Sequence, residues 1–509
     1  MLSYKMYRDN MMRQRDLEIL DLAYKYVKEV AQSKRYNLQS IAITSYFKKK
    51  ELDSLEKEEY LLSYEKFLEK YKCIILKDFI YKNDYFTPRE MYIISPQYYL
   101  YYTFNVFKYC YIRYGRGVID FSRELFQVFY SGHLEIEDNA FDGNKVNYDY
   151  SYQKFLVKRN SYAGSRVLSI DLQDFFKNIK IKKIIGKLDY GIDDKDISFA
   201  ETIANISNFL NQFSSLPQLH YSIASSLLSQ VYLEKFTDEV SKLLLTNKYK
   251  GFEAIRYVDD MYFKMPLYTR YKKENEFLEK LSYILWKDDL NINSKKTKRY
   301  SKNEFIKFIE QKNNYPYESI QEASQPANYF SKKIQSKVEE LVKDEGEKLI
   351  NFFKKLSVLY DRQGIALKEY YDLLDKYIEV EGGSVSKIFN HLMFAKNNFI
   401  SQIGLSNLYC ILEAPTFVLF NPTQFTVLYI KMNDYIRSRG CNKDFLENLV
   451  ELVSTELDLK RAIIISNMYI QKNTYWRFIN QLNKLREINN NYVDFIDEYV
   501  SKQEKRFLY

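Results

Sequence analysis

The chain has 509 residues, 46% of them apolar, enough for more than one sizeable core, and a net charge of +9, a mild bias towards polyanions that many proteins share without touching nucleic acid. Four scattered cysteines with no CxxC pair and three unclustered histidines argue against a disulfide framework and a structural zinc site. The N-terminus is too polar for a signal peptide, and no apolar run of about 18 residues occurs, so a soluble, cytoplasmic chain with no membrane span is expected.

Residues 1–85 carry helical spacing, as in LEILDLAYKYVKEV and YLLSYEKFLEKYKCIILKDFI. Pro88 and Pro96 then bracket a short β-like run, Met91–Ile94, with Arg89 near its start. The aromatic stretch YYLYYTFNVFKYCYIRYG reads as a buried helix ending at Gly115 and Gly117. VLSIDL predicts a strand, and DISFAETIANISNFLNQF and IASSLLSQVYLEKFTDEVSKLLL predict helices. AIRYV and MYF read as the arms of a hairpin, followed by a helix over ENEFLEKLSYILWKDDL. This alternation predicts an α+β layer, a sheet with helices on one face.

From about residue 325 the pattern is helical throughout, punctuated by Gly364, Gly382–Gly383, Gly404, Asn421–Pro422 and Gly440. Pro422 suits a first helical turn after an Asn cap, and Gly440 suits a C-terminal cap. Paired helices stacked in series and a plain bundle both fit. The expected organisation is a domain over 1–315 and an all-α domain over 325–509.

Tyrosine is abundant, 49 residues against 14 glycines. Tyr rings stack on bases and their hydroxyls reach phosphates. Chains rich in Lys, Tyr, Asn, Ile and Phe are also what AT-rich genes encode.

The hairpin carries Asp259 and Asp260 side by side, between apolar arms. Adjacent carboxylates in a turn are usually a solvated tip. A third carboxylate, Asp171, directly follows the VLSI run, with room for helices between the two strands. Nucleotidyl transfer asks for such a set, because carboxylates on two strands can hold two divalent cations roughly 3.5–4 Å apart. Magnesium prefers such hard oxygen donors.

Between these aspartates lies SSLPQLHYSIASSLLSQ, and after them LNINSKKTKRY. In order, Asp-x-x-x-x-Phe, Leu-Pro-Gln, Tyr-Val-Asp-Asp and Asn-x-x-Lys-Thr resemble motifs A to D of the reverse transcriptases. The resemblance implies that Asp171 and Asp259 bind metal, with Asp260 a less critical partner and the Leu172 carbonyl a further ligand. It implies that Phe176 is the steric gate against ribonucleotides; plain core packing would also place a Phe there. Gln218 and Ser222 would contact template and nucleotide, and Lys296 would sit near the departing pyrophosphate. Lys154, Lys158, Arg159 and Arg166, with Arg89 more remotely, would grip the triphosphate; basic residues on solvated faces look the same.

The sequence departs from that pattern. Leu219 stands where motif B usually has glycine, and the serine arrives one residue early. No thumb or RNase H domain is evident. These departures resemble the abortive-infection (Abi) reverse transcriptases of bacteria. That resemblance implies fingers and an antiparallel palm sheet followed by a HEAT-like helical domain. It further implies phage defence, Mg²⁺ (or Mn²⁺) dependence, and untemplated synthesis of single-stranded DNA from dNTPs. Priming would come from a tyrosine of the protein, with Tyr4 and Tyr7 in a polar arm among the candidates, and the chain would form homo-oligomers. A template-copying enzyme of the retron or group II intron kind is the enzymatic alternative. An inactive nucleic-acid-binding scaffold is the alternative from another class.

Overall fold

The computed structural model describes residues 2–33, 38–47, 51–81, 88–136, 149–189, 197–313, 398–413 and 422–445, and residues 448, 491, 494, 495, 498 and 499 singly. It divides into two compact units: residues 1–75 with 91–311, and residues 76–90 with 312–509.

The first unit begins with α1 (Leu2–Ser33), α2 (Leu38–Phe47), α3 (Ser54–Tyr60) and α4 (Tyr64–Lys70). Asp53 caps α3 with a capping box: its side chain accepts from the Glu56 N–H, and Glu56 answers to the Asp53 N–H. The helical pattern expected to run on to residue 80 stops earlier. Ile75–Tyr81 is a strand, β1, paired with β2 (Pro88–Ile94). In Ile75-Leu-Lys-Asp-Phe-Ile-Tyr the β-branched and aromatic residues outweigh the helical spacing.

Next comes α5 (Pro96–Tyr114), with proline in its first turn and Gly115 at φ +78° beyond its end. The helix is buried along most of its length, as its aromatic run predicts. Its tyrosines find partners at the ends of neighbouring segments. Tyr99, Tyr101 and Tyr109 donate to the carbonyls of His220, Leu62 and Leu188 at 2.9–3.0 Å. Tyr102 stacks on Phe209 at 4.0 Å and Tyr101 on Phe67 at 4.1 Å. These tyrosines act as large apolar bodies with one satisfied polar tip.

There follow β3 (Gly117–Val118), β4 (Phe126–Phe129), β5 (Glu135–Ile136), α6 (Tyr150–Asn160), β6 (Arg166–Asp171), α7 (Phe175–Asn178), α8 (Ile181–Leu188), α9 (Ile197–Leu210) and α10 (Ile223–Leu244). The unit continues with β7 (Glu253–Tyr257), β8 (Asp260–Met265), α11 (Tyr271–Trp286), β9 (Lys298–Tyr300) and α12, which begins at Lys302 and ends at Asn313. Five strands form one sheet in the order β4-β7-β8-β6-β9. The sheet is mixed rather than antiparallel throughout, because β4 runs parallel to β7. The chain therefore combines helices with a small mixed sheet. One edge, β9, is three residues long and carries exposed Lys298 and Arg299, which discourages edge-to-edge pairing.

The register sorts residues onto two faces. Ile170, Leu168, Met261, Phe263 and Ala254 share the face that includes Arg256, where Phe236 and Phe277 pack. Asp171, Ser169, Asp260, Tyr262 and Tyr257 share the other, towards Phe155 and Phe305.

In the second unit the described elements beyond residue 312 include the helices Asn398–Ile403, Leu405–Glu413 and Pro422–Ser438. Gly404 (φ +91°) and Gly440 (φ +93°) end two of them and Pro422 starts the third, as their sequence positions suggest. Gly364 and Gly382–Gly383, with most of the expected helical pairs, lie outside the described residues. No described helix is long and apolar enough to cross a membrane.

Candidate active site

Asp171 is the last residue of β6 and Asp260 the first of β8, and they are direct cross-strand partners. Tyr257 faces Asp260 on the other side, so β7 and β8 are joined by the two residues Val258 and Asp259. Directly opposed residues in an antiparallel pair have Cα atoms about 4.5–5.5 Å apart. The backbone thus brings the three aspartates to one end of the sheet. Val258 holds φ +54° with its side chain buried. A β-branched residue there is strained, and the buried side chain pins the turn that carries Asp259.

Five non-glycine residues with positive φ occur among the described residues: Leu125, Asp174, Tyr221, Val258 and Asp289. Three sit in the motif A, B and C segments, and Asp289 immediately precedes the Leu290–Tyr300 stretch. Strained backbone gathers where side chains are aimed.

The Leu290–Tyr300 segment locks onto the end of β6. Leu172 bridges Ile292, and the Gln173 N–H donates to the Asn291 carbonyl at 2.9 Å. The Asn293 N–H donates to the Asp171 carbonyl at 2.8 Å, and its Nδ2 donates to Asp171 Oδ2 at 3.0 Å. Lys296 Nζ lies 3.3 Å from Asp171 Oδ1. Leu172 itself is buried. Asn293 has no assigned role in the sequence reading; its place at the head of Asn-x-x-Lys-Thr was the available signal.

Asp259 and Asp260 act on the tyrosines around them. Burial pushes Tyr257 up to about 12 against its bond with Ser131, with smaller contributions from Tyr152 and from the charges of Asp149 and Asp259. Tyr152 is raised by burial and by Asp260, opposed by Arg159. Tyr257 is the tyrosine of Tyr-Val-Asp-Asp, quoted from sequence without a role of its own, whereas Tyr152 and Ser131 at this end of the sheet were not singled out, because nothing local marks them.

Motif B lies alongside. The Leu216 N–H donates to the Ile179 carbonyl, and the Tyr92 N–H to the Gln218 carbonyl, both at 2.9 Å. Gln218 is half-buried. Leu219 pairs with Tyr92 and is 4% exposed, so the side chain in the glycine position serves the core. Ser222 caps α10 by accepting from the Ser225 N–H at 3.2 Å. Phe176 is half-buried in α7, packed on the core beside Phe175 at 5.3 Å.

The basic residues divide. Arg159 lies near Tyr152 and Tyr262 but is 6% exposed, with Tyr262 at 5.9 Å and Phe308 at 5.4 Å from its guanidinium. Arg166 sits at the far end of β6, five residues or about 17 Å from Asp171. It pairs with Glu274 at 2.6 Å and donates to the Thr269 carbonyl. The structure therefore does not bring Arg166 to the carboxylates; its charge is committed to the buried Glu274. Lys158 is 4.0 Å from Glu253, also at the distant end, and Lys154 lies over the Tyr150 ring at 4.2 Å. Arg89 is in β2, with its side chain outside what is described. Tyr4 and Tyr7 belong to α1 rather than to an extended arm.

The donor set, carboxylate oxygens with a nearby backbone carbonyl, suits a hard divalent cation. Among the described residues no group of three His, Cys, Asp or Glu side chains is gathered tightly enough to hold a metal ion. The two oxygens of Asp171 have Asn293 and Lys296 as partners. No family model matches the chain, and no curated protein matches it.

Proposed function

We propose that the chain is a metal-dependent nucleotidyltransferase that makes DNA from dNTPs at the Asp171–Asp259–Asp260 end of the sheet. The observation that carries this reading is the cross-strand pairing of Asp171 with Asp260, Asp259 being in the adjoining turn. Asp171 and Asp259 would hold two Mg²⁺ ions, or Mn²⁺ in their place, with Asp260 and the Leu172 carbonyl beside them. Bound there, the cations lower the pKa of the attacking hydroxyl and neutralise charge on the leaving pyrophosphate.

In each transfer a hydroxyl oxygen bonds to the α-phosphorus of a dNTP, the bond to the β-phosphate breaks, and the hydroxyl proton passes to solvent. Phe176 would lie against the deoxyribose, while Gln218 and Lys296 would border the nucleotide and Ser222, buried as the cap of α10, would position its segment rather than touch it. Arg159 would contribute field rather than contact.

The order of the motifs and the buried Leu219 support an enzyme of the abortive-infection reverse-transcriptase kind over a template copier. On that reading synthesis is untemplated, the first hydroxyl is a tyrosine phenol of the protein, and the product is single-stranded DNA. The C-terminal helices would form a HEAT-like domain, the chain would assemble as a homo-oligomer, and its role would be phage defence in the bacterial cytoplasm.

A second reading, an inactive nucleic-acid-binding scaffold, is favoured by one observation: Lys296 and Asn293 already engage both oxygens of Asp171. Incorporation of labelled dNTPs by the purified chain with Mg²⁺ separates the two. The enzyme reading expects incorporation that Asp259→Asn abolishes with the melting temperature unchanged; a wild-type chain inert in Mg²⁺ and Mn²⁺ favours the scaffold.

A further inference from the structure

The two oxygens of Asp171 are not equivalent. Oδ2 accepts from Asn293 Nδ2 at 3.0 Å, and Asn293 is itself fixed. Its N–H donates to the Asp171 carbonyl at 2.8 Å, and its own carbonyl accepts from the Thr297 N–H and hydroxyl, each at 2.9 Å. The Leu172–Ile292 bridge and the Gln173–Asn291 bond tie the segment down on either side. Contacts of this kind set a ligand's orientation rather than bind metal.

The partner of Oδ1 is different in kind. Lys296 Nζ lies 3.3 Å from it, on a side chain 62% exposed, whereas the Asp171 side chain is only 15% exposed. An ammonium on a flexible four-carbon stem, mostly in water, is a weak and exchangeable partner. A magnesium ion bound to the same oxygen would lie about 2.0–2.1 Å away. An ammonium and a divalent cation held at the same oxygen repel each other strongly at these distances.

Resting on the metal-site reading above, we propose that Asp171 presents Oδ1 to a divalent cation. Asn293 is the positioning residue that holds Oδ2 and so fixes the orientation of the carboxylate. Lys296 is a resident counter-ion that occupies Oδ1 and is displaced when the divalent cation binds. The ion pair keeps a largely buried carboxylate compensated while no metal is bound, and its exposed half makes it easy to release.

The test is Mn²⁺ titration of the full-length chain, following free Mn²⁺ by electron paramagnetic resonance without nucleotide. Asp171→Asn is expected to abolish the tightest binding. Lys296→Ala is expected to tighten it about two- to fivefold, the worth of a partly exposed ion pair. Lys295→Ala, which removes an equal charge one residue away, is expected to change it clearly less. Asn293→Ala is expected to weaken it about tenfold. Lys296 is exposed enough for its variant to fold even if the Asn293 variant does not. Wild-type binding that depends on Asp171 but is unchanged by Lys296→Ala, or is tightened equally by Lys295→Ala, overturns the exchange and leaves the metal site standing. Absent wild-type binding, or binding that Asp171→Asn leaves intact, removes the metal site and the proposal with it.

Discussion

Val258 is a valine in a backbone conformation that favours glycine, and its neighbour Asp259 is placed by that choice. The same holds at Tyr221, the residue before the α10 cap. Such residues are read from sequence as ordinary strand or loop positions, because φ leaves no mark on composition. Phe176 is the reverse case: spacing alone marks it, and the fold leaves it half-buried at the start of α7. Phe176→Ala is expected to admit ribonucleotides, at a stability cost below the roughly 3–5 kcal/mol of a fully buried Phe. Competition between matched rNTP and dNTP pools measures this, and an unchanged dNTP preference removes the gate. His220 is a residue whose burial matters more than its chemistry. Burial pushes it from 6.5 down to about 4. Below pH 6.5 the unfolded chain takes up a proton that the native chain refuses until about pH 4. Stability is therefore lost as pH falls across that window, by up to about 3 kcal/mol. Urea midpoints at pH 7 and 4.5 should show the loss, and His220→Gln should reduce it.

The elements nearest the site were the most legible. The apolar run before Asp171 and the apolar, β-prone arms around Asp259–Asp260 give β6, β7 and β8 close to their observed bounds, and successive residues of each strand are buried. The aromatic run of α5 was legible as a buried helix, although its tyrosine hydroxyls needed the fold to show their carbonyl partners. β4 was not legible: FQVF is four residues long, and its parallel pairing with β7 depends on contacts far along the chain. β1 was misread as helix, because the spacing before it fits both periods. Motif B is where the sequence departs from its resemblance and the fold supplies a reason, since Leu219 is a core residue paired with Tyr92. Leu219→Gly is therefore expected to cost roughly 3–5 kcal/mol and to leave template use unimproved. Chemical denaturation gives the first number, and a primed homopolymer template the second. Robust template copying by a stable Leu219→Gly chain would show that the leucine had blocked the template.

At the scale of the molecule, residues 76–90 belong with the unit that contains 312–509, an arrangement no local pattern reveals. Helical spacing and glycine punctuation identified segments such as Pro422–Ser438, but periodicity does not say how helices pair. What connects the scales is the one sheet end that gathers Asp171, Asp259 and Asp260 from distant stretches of sequence. The central claim is that this end transfers nucleotides without a template. The most direct measurement supplies purified full-length chain with Mg²⁺ and labelled dNTPs, without template or primer, and separates the products under denaturing conditions. The account predicts label migrating with the protein, sensitive to nuclease, and absent from Asp171→Asn and Asp259→Asn. No incorporation with any dNTP in Mg²⁺ or Mn²⁺, or wild-type incorporation by either variant, would contradict it.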